Sequence, residues 1–185
     1  HVKRLASSYD KLCRLYEGTR VRPCPVVVEN GVARFEFLEG DFFQEKLERL
    51  IAAKNEEGII ALCKDFVSIV RSGAGVEQFQ KTPEFVRVFG DADLPDGLTA
   101  MPFSNVDWIF ENVVEGKDGG ITLIDYEWCF DFPVPLEFVL YRALYFTFEK
   151  FGMLDFLSGR LCPLLGISTE SIPLLWELER KFCCY

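Results

Sequence analysis

The chain has 185 residues, of which 49% are hydrophobic and 18 are Phe, so it is long and apolar enough to bury a core as one domain. Its net charge is −9 and its pI about 4.7, which argues against nucleic acid as the main partner because phosphate backbones bind basic surfaces. Its seven Cys form an odd set without a CxxC pair, which favours reduced thiols in a cytoplasmic protein over a disulfide framework.

Membrane insertion is not predicted, because no stretch approaches the ~18 uninterrupted apolar residues that a spanning helix needs. We expect a cytoplasmic location, with the inner face of the membrane as an alternative. The sequence starts inside a charged helical pattern without an initiator Met and ends inside another. It therefore reads as a piece of a longer protein.

Helical spacing of apolar residues recurs along the chain. Helices are predicted over residues 2–16, 42–53, 56–72, 136–148, 153–165 and 170–184. Asn55 is the expected N-cap of the third helix, because its side chain can accept a hydrogen bond from the first helical turn.

A β-hairpin is predicted between the first two helices. Two β-favouring runs, 25–29 and 32–38, flank Asn30-Gly31, a strong signal for a two-residue turn. The region 73–102 is in contrast long, acidic and irregular in pattern. We expect a solvated loop there, with a substrate-facing loop as the alternative.

The predicted helix 136–148 is strongly apolar and should lie in the core. Arg142 stands within it, and a buried Arg requires a carboxylate partner. Asp131 or Glu127 is the expected partner, and truncation of Arg142 should destabilise the domain strongly.

The stretch from Ser104 to Asp131, SNVDWIFENVVEGKDGGITLIDYEWCFD, predicts a second hairpin. Apolar, β-favouring runs flank EGKDGG, and its Asp118-Gly119 pair signals a two-residue turn. Pairing outward from that turn places Lys117 opposite Gly120 and Val113 opposite Ile124.

The same register places Asn112 opposite Asp125, at the open end of the predicted hairpin. Asp107 precedes Asn112 by five residues, so a loop can fold it over the same place. Two hard oxygen ligands, an amide and a carboxylate, beside a second carboxylate suit Mg²⁺, which prefers oxygen ligands together with phosphate and water. Paired carboxylates could also serve glycoside cleavage, but the intervening Asn and the hairpin favour the metal.

The Asp107-x4-Asn112 spacing, followed thirteen residues later by Asp125 after an apolar strand, resembles the catalytic and metal-binding loops of the protein-kinase-like fold. The sequence IDYE at Ile124–Glu127 is closer to aminoglycoside and choline phosphotransferases than to protein kinases. The wider string IDYEW-x-FDFPVP-x-FVLYRAL is similar to kinase-like domains of bacterial surface-polysaccharide proteins, including O-antigen chain-capping methyltransferase and glycosyltransferase fusions. The resemblance extends from about Val2 to about Tyr145.

This resemblance implies an α+β, protein-kinase-like fold with a mostly helical large lobe that carries a catalytic β-hairpin. Residues 1–40 would form a partial small lobe and hinge, and residues 41–185 the large lobe. In the hinge, FEFLEG, Phe35 would line the back of an adenine pocket, while Glu36 and Leu38 would bind adenine through backbone groups. ATP and Mg²⁺ are the implied cofactors.

The resemblance also assigns roles at the second hairpin. Asp107 would be the catalytic residue that accepts or orients the attacking hydroxyl, and Asn112 and Asp125 would hold Mg²⁺ across the phosphates. Asn105 occupies the position where such domains usually carry His. The chain also lacks the glycine-rich turn and strand Lys that hold the phosphates, so we expect weak or no ATP turnover by these residues alone.

Two functions follow from the resemblance. The first is a phosphotransferase acting on a glycan or small-molecule hydroxyl in polysaccharide or lipopolysaccharide biosynthesis, fused to or associated with methyltransferase or glycosyltransferase domains. The second is a kinase-like module without turnover that scaffolds glycan-assembly enzymes. The presence of Asp107, Asn112 and Asp125 together favours the first.

Overall fold

The computed structural model describes residues 2–185, with side chains from Arg4 onward, and its architecture is α+β, as predicted. The helices are α1 (Val2–Leu15), α2 (Phe43–Ala52), α3 (Glu56–Arg71), α4 (Pro83–Phe89), α5 (Leu136–Glu149), α6 (Leu154–Phe156), α7 (Cys162–Leu164) and α8 (Ile172–Phe182). A π-helical turn, Leu157–Leu161, joins α6 to α7, and 3-10 turns lie at Phe110–Asn112 and Thr169–Ser171.

The strands are short and form several small sheets. They are β1 (Val21–Pro23), β2 (Val26–Glu29), β3 (Val32–Phe35), β4 (Asp41–Phe42), β5 (Glu77–Gln78), β6 (Thr99–Met101), β7 (Ser104–Asn105), β8 (Val113–Glu115), β9 (Ile121–Leu123), β10 (Cys129–Phe130) and β11 (Val134–Pro135). The largest sheet has the order β1-β9-β8-β4, in which β1 runs parallel to β9 and the other pairs are antiparallel. The sheet therefore places the central hairpin between segments from the first quarter of the chain.

The hairpin of β2 and β3 is confirmed, with Glu29 opposite Val32. Its turn residues Asn30 and Gly31 both have positive φ, 52° and 77°, as a type I′ turn requires. Several predicted helices are also confirmed, among them α3, where the side chain of Asn55 accepts a hydrogen bond from the N–H of Gly58 at 2.9 Å.

The hairpin of β8 and β9 is confirmed as an element, but its predicted register is wrong by one residue. Val113 lies opposite Leu123, and Gly116 and Gly120 pair across the turn, with the N–H of Gly116 donating to Gly120 O at 2.9 Å. The loop therefore has three residues and ends at Gly119, whose φ is +78°. The N–H of Gly119 donates to Gly116 O at 3.0 Å, so a β-turn is followed by a left-handed residue. A Gly at the left-handed position favours this three-residue loop.

The expectation of a long irregular loop over 73–102 is wrong. The segment contains β5, α4 and β6, and α4 buries Phe85 and Phe89 completely. Its start follows the usual rules, because Pro83 occupies the first turn and the Thr82 hydroxyl accepts from the N–H of Phe85 at 3.2 Å.

The core is one contiguous apolar cluster that runs from α1 to α8. Aromatic side chains fill its centre, below the loop that follows β7. Phe110 packs against Phe66 with ring centroids 4.6 Å apart, and Trp108 is 2% exposed. Trp108 and Phe110 therefore anchor the chain directly after Asp107 in the core. The division at residue 40 stays a prediction.

None of the helices formed by residues 2–185 combines the length and apolar content that crossing a bilayer requires.

Candidate functional site

Asp107 lies in the loop between β7 and the 3-10 turn, where its backbone is held by a neighbouring side chain. The N–H of Asp107 donates to Oδ1 of Asn105 at 3.0 Å, and Asn105 is 3% exposed. Asn105 thus supports the loop that carries Asp107. Its buried Nδ2 has no hydrogen-bond partner among the described residues.

Asn112 lies directly beside Asp107, as predicted. Its Nδ2 donates to the backbone oxygen of Asp107 at 3.0 Å and to Oδ2 of Asp107 at 3.1 Å. Both contacts use the amide nitrogen, so the amide oxygen of Asn112 is the end left for a cation. We refer to these two residues as the Asp107–Asn112 pair.

Asp125 is the first residue after Ile124, which makes the outermost backbone hydrogen bond of the β8–β9 hairpin. The N–H of Ile124 donates to the backbone oxygen of Asn112 at 2.9 Å, so Asn112 lies opposite Ile124 and not opposite Asp125. Asp125 has a φ of 50°, in the left-handed region that Asp and Asn adopt more readily than other side chains. The predicted pairing of Asn112 with Asp125 is thus off by one residue. The left-handed residue, Asp125, directly follows the residue that pairs with Asn112.

Negative charge accumulates around Asp125. Partial burial raises the pKa of its carboxyl, and the charges of Asp107 and Glu127 raise it further. The effect of Asp107 indicates that the two predicted carboxylates lie close enough to repel each other. A bound cation would relieve this repulsion.

The donor set at this place fits Mg²⁺ in part. Asn112 Oδ1 and the Asp125 carboxylate are hard oxygen donors, and Mg²⁺ often takes only one or two carboxylates together with phosphate and water. Among the side chains that the structure describes, no group of three or more His, Cys, Asp or Glu is placed to hold a metal ion. A Mg²⁺ ion here would therefore need ligands from a bound phosphate.

A cleft of about 570 Å³ opens beside Asp125, and we call it the 35–38 cleft. Its lining includes Phe35, Glu36 and Leu38, the three residues predicted to bind adenine. Asp125 also lines it, so the cleft and the candidate metal ligands share one residue. Its volume lies within the range of small-molecule pockets, about 300–1,000 Å³.

The backbone along the 35–38 cleft offers hydrogen-bonding groups. Within the described chain, the amide and carbonyl of Leu38 make no backbone hydrogen bond, and Glu36 O accepts only from the weak thiol donor of Cys24 at 3.6 Å. Phe35 is 49% exposed and Phe37 89% exposed, so flat apolar surface is available to a ligand. The cleft can therefore bind a planar heterocycle by stacking and by backbone hydrogen bonds.

Among the described side chains, the lining of the 35–38 cleft contains Glu36, Asp125 and Glu127 and no basic group. A triphosphate alone would be repelled there. An anionic ligand would need a divalent cation to bridge it to these carboxylates.

Tyr126 lines the 35–38 cleft and was not among the predicted site residues. It is 1% exposed, and its hydroxyl donates to the backbone oxygen of Cys24 at 2.8 Å. Its ring contacts that of Phe35 with the centroids 6.2 Å apart. The hydrogen bond joins the segment after β9 to the segment after β1, and only the unusual aromatic after Asp125 hinted at it in the sequence.

Arg142 bonds to carboxylates other than those predicted. Its Nη1 donates to Oδ1 of Asp107 at 2.9 Å, and its Nε donates to Oε2 of Glu179 at 3.0 Å. Asp131 instead pairs with Lys11 on α1. Arg142 thus belongs to the candidate site through its bond to Asp107. Sequence patterns alone did not indicate this, because Asp107 and Glu179 lie 35 and 37 residues away in the chain.

Comparison of the chain with protein-family models, with curated proteins and with solved structures finds no match.

We expect Asp125→Asn to stabilise the ligand-free protein at neutral pH. A carboxyl whose pKa is raised on folding stabilises the fold while it is protonated, and this contribution is lost as the pH rises through the folded pKa. The melting temperature of Asp125→Asn should therefore exceed that of the wild type at pH 7, and the difference should shrink towards pH 4. Asn also tolerates the left-handed backbone.

The matched control for this measurement is Asp96→Asn, which removes one surface carboxylate from a different cleft. It should leave the melting temperature nearly unchanged at both pH values. A wild type more stable than Asp125→Asn at pH 7 would contradict the electrostatic reading of the site.

Proposed function

We propose that the chain forms the nucleotide- and metal-binding part of an ATP- and Mg²⁺-dependent phosphotransferase. Its acceptor would be a sugar hydroxyl in surface-polysaccharide or lipopolysaccharide biosynthesis. The observation that carries the proposal is that Asp125 lines the 35–38 cleft and directly follows Ile124, which is hydrogen-bonded to Asn112, the partner of Asp107. One residue thus links a cleft suited to a planar base with a cluster of oxygen ligands.

The proposal includes a protein-kinase-like fold, with residues 1–40 as a partial small lobe and hinge and residues 41–185 as the large lobe. Support comes from the order of the segments, since the strand β3 leads into the cleft wall and the β8–β9 hairpin separates Asn112 from Asp125. Associated or fused methyltransferase or glycosyltransferase domains would supply and use the glycan.

Each residue has a defined task in the proposed reaction. Phe35 would line the cleft, and backbone groups of Glu36 and Leu38 would bind adenine. Asn112 Oδ1 and Asp125 would hold Mg²⁺, which neutralises charge on the phosphates. The remaining lone pairs of the Asp107 carboxylate would orient the attacking hydroxyl and accept its proton.

A kinase-like binding module without turnover is the second candidate. It is favoured by the charge of the 35–38 cleft, where the side chains that the structure describes include three acidic and no basic ones. Such a cleft could hold a neutral or weakly charged ligand and serve assembly of glycan enzymes. The two candidates differ in the need for a metal and in the role of Asp107.

Magnesium should increase the affinity of the protein for ATP, because the cleft alone repels phosphate. In Asp125→Asn we expect this gain to fall by about tenfold or more, since a direct metal ligand is weakened. The measurement is titration of a fluorescent ATP analogue with and without Mg²⁺. Asp96→Asn should retain the gain, and equal affinities of the wild type with and without the ion would contradict the proposal.

The backbone N–H of Leu38 should be needed for nucleotide binding in the 35–38 cleft. Leu38→Pro removes this N–H, whereas Leu38→Ala keeps it and trims only the side chain. We expect the proline variant to weaken binding of the ATP analogue by about tenfold relative to the alanine variant, in keeping with the loss of a buried hydrogen bond. Similar affinities of the two folded variants would refute the predicted backbone contact.

Asp107→Asn should abolish transfer and leave metal-free nucleotide binding intact. Loss of the proton acceptor is expected to lower the rate of γ-phosphate transfer from ATP to a panel of sugars by about 100-fold or more. Glu111→Gln is the control in the same loop, because Glu111 pairs with Lys150 at the surface. Because turnover by the wild type is itself expected to be weak, transfer is measured with radiolabelled ATP at high protein concentration. A rate for Asp107→Asn equal to that of the wild type would contradict the assignment of Asp107 as the proton acceptor.

A further inference from the structure

The Asp107–Asn112 pair is the end of a chain of hydrogen bonds that starts on α8. Glu179 on α8 accepts from Nε of Arg142 on α5, and Nη1 of Arg142 donates to Oδ1 of Asp107. The other oxygen of Asp107 accepts from Nδ2 of Asn112 at 3.1 Å. We call the four residues Glu179, Arg142, Asp107 and Asn112 the relay.

The guanidinium at the centre of the relay is held from several directions. The side chains of Arg142 and Glu179 are 13% and 7% exposed, and Nη1 of Arg142 also donates to Val106 O at 2.9 Å. The rings of Phe146 and Phe182 lie with their centroids 5.0 and 5.4 Å from the guanidinium carbon. A planar, fixed donor group of this kind restricts the carboxylate that it binds.

The orientation of the Asn112 amide depends on that carboxylate. An amide presents an oxygen at one end and two N–H donors at the other, and only the oxygen can bind a cation. Asp107 binds the nitrogen end through two acceptors, Oδ2 and its backbone oxygen. If the Asp107 carboxylate rotated away, the amide would lose one of the contacts that keep its oxygen available.

We propose that Arg142 and Glu179 are positioning residues for the candidate metal site, which act on Asn112 through Asp107. This inference rests on the proposed function, because it assumes that Asn112 is a metal ligand. Hydrogen-bonded partners of metal ligands commonly change metal affinity by about 10–100-fold when they are replaced.

The alternative is that the relay is only a buried ion pair between α5 and α8. Such a pair would affect the stability of the fold and would weaken all ligand binding alike. A positioning role instead affects the metal-dependent part of nucleotide binding and leaves the metal-free part in place. The two roles are therefore distinguished by binding measured with and without a metal.

The test compares ATP affinity in the presence and absence of Mn²⁺, which takes similar oxygen ligands and whose binding can be followed by electron paramagnetic resonance. Arg142→Lys keeps the charge but cannot make the planar set of contacts. In this variant we expect the Mn²⁺-dependent increase in ATP affinity to be about tenfold smaller than in the wild type. Its ATP affinity without metal should stay within about twofold of the wild-type value. Leu178→Ala, at a fully buried apolar position of α8, is the matched control and should keep the gain.

Three results would overturn the inference. In the first, Arg142→Lys keeps the full Mn²⁺-dependent increase in ATP affinity. In the second, Arg142→Lys and Leu178→Ala both lose metal-dependent and metal-free binding alike. In either case Arg142 is structural and the proposed function stands. If the wild type shows no gain with Mn²⁺, the proposed function fails and the inference fails with it. Should Arg142→Lys not fold, Glu179→Gln decides in the same way, because it keeps the shape of the acceptor and removes its charge.

Discussion

The hydrogen bond from the N–H of Ile124 to the backbone oxygen of Asn112 is the constraint on which the candidate site depends. It closes the β8–β9 hairpin at the end remote from the turn, so two residues twelve positions apart become neighbours. The large buried rings below, Phe110 and Trp108, hold the preceding loop against the core. The loop and the hairpin thereby share one rigid base, and side chains at their junction keep a defined spacing.

Charge determines what this junction can bind. Asp107 is bonded to Arg142 and Asn112 on its protein side, whereas Asp125 faces the cleft with a raised pKa and acidic neighbours. Among the described residues, Arg142 thus places its positive charge behind Asp107, and none of the side chains lining the cleft wall is basic. A ligand that carried phosphate would meet the acidic wall first, and a divalent cation is the simplest means of joining them.

Local patterns in the sequence predicted the elements well, since helices such as α3 and both hairpins depend on neighbouring residues. The register of the second hairpin was not predictable, because Gly119 suits both a two-residue turn and the three-residue loop that forms. Long-range partners were also missed: nothing near Arg142 in the chain indicates that Glu179 lies beside it. Helix α4 could have been found, since Thr82 is an ordinary N-cap.

The left-handed backbone at Asp125 has a consequence for how the site can vary. A φ of 50° is tolerated by Gly, Asn and Asp and is poorly tolerated by β-branched residues. Substitution at this position is thus confined to very few amino acids, and Asn and Gly remove the charge without disturbing the chain path. A single-nucleotide codon change at position 125 is therefore enough to remove the negative charge beside the cleft from a protein that still folds.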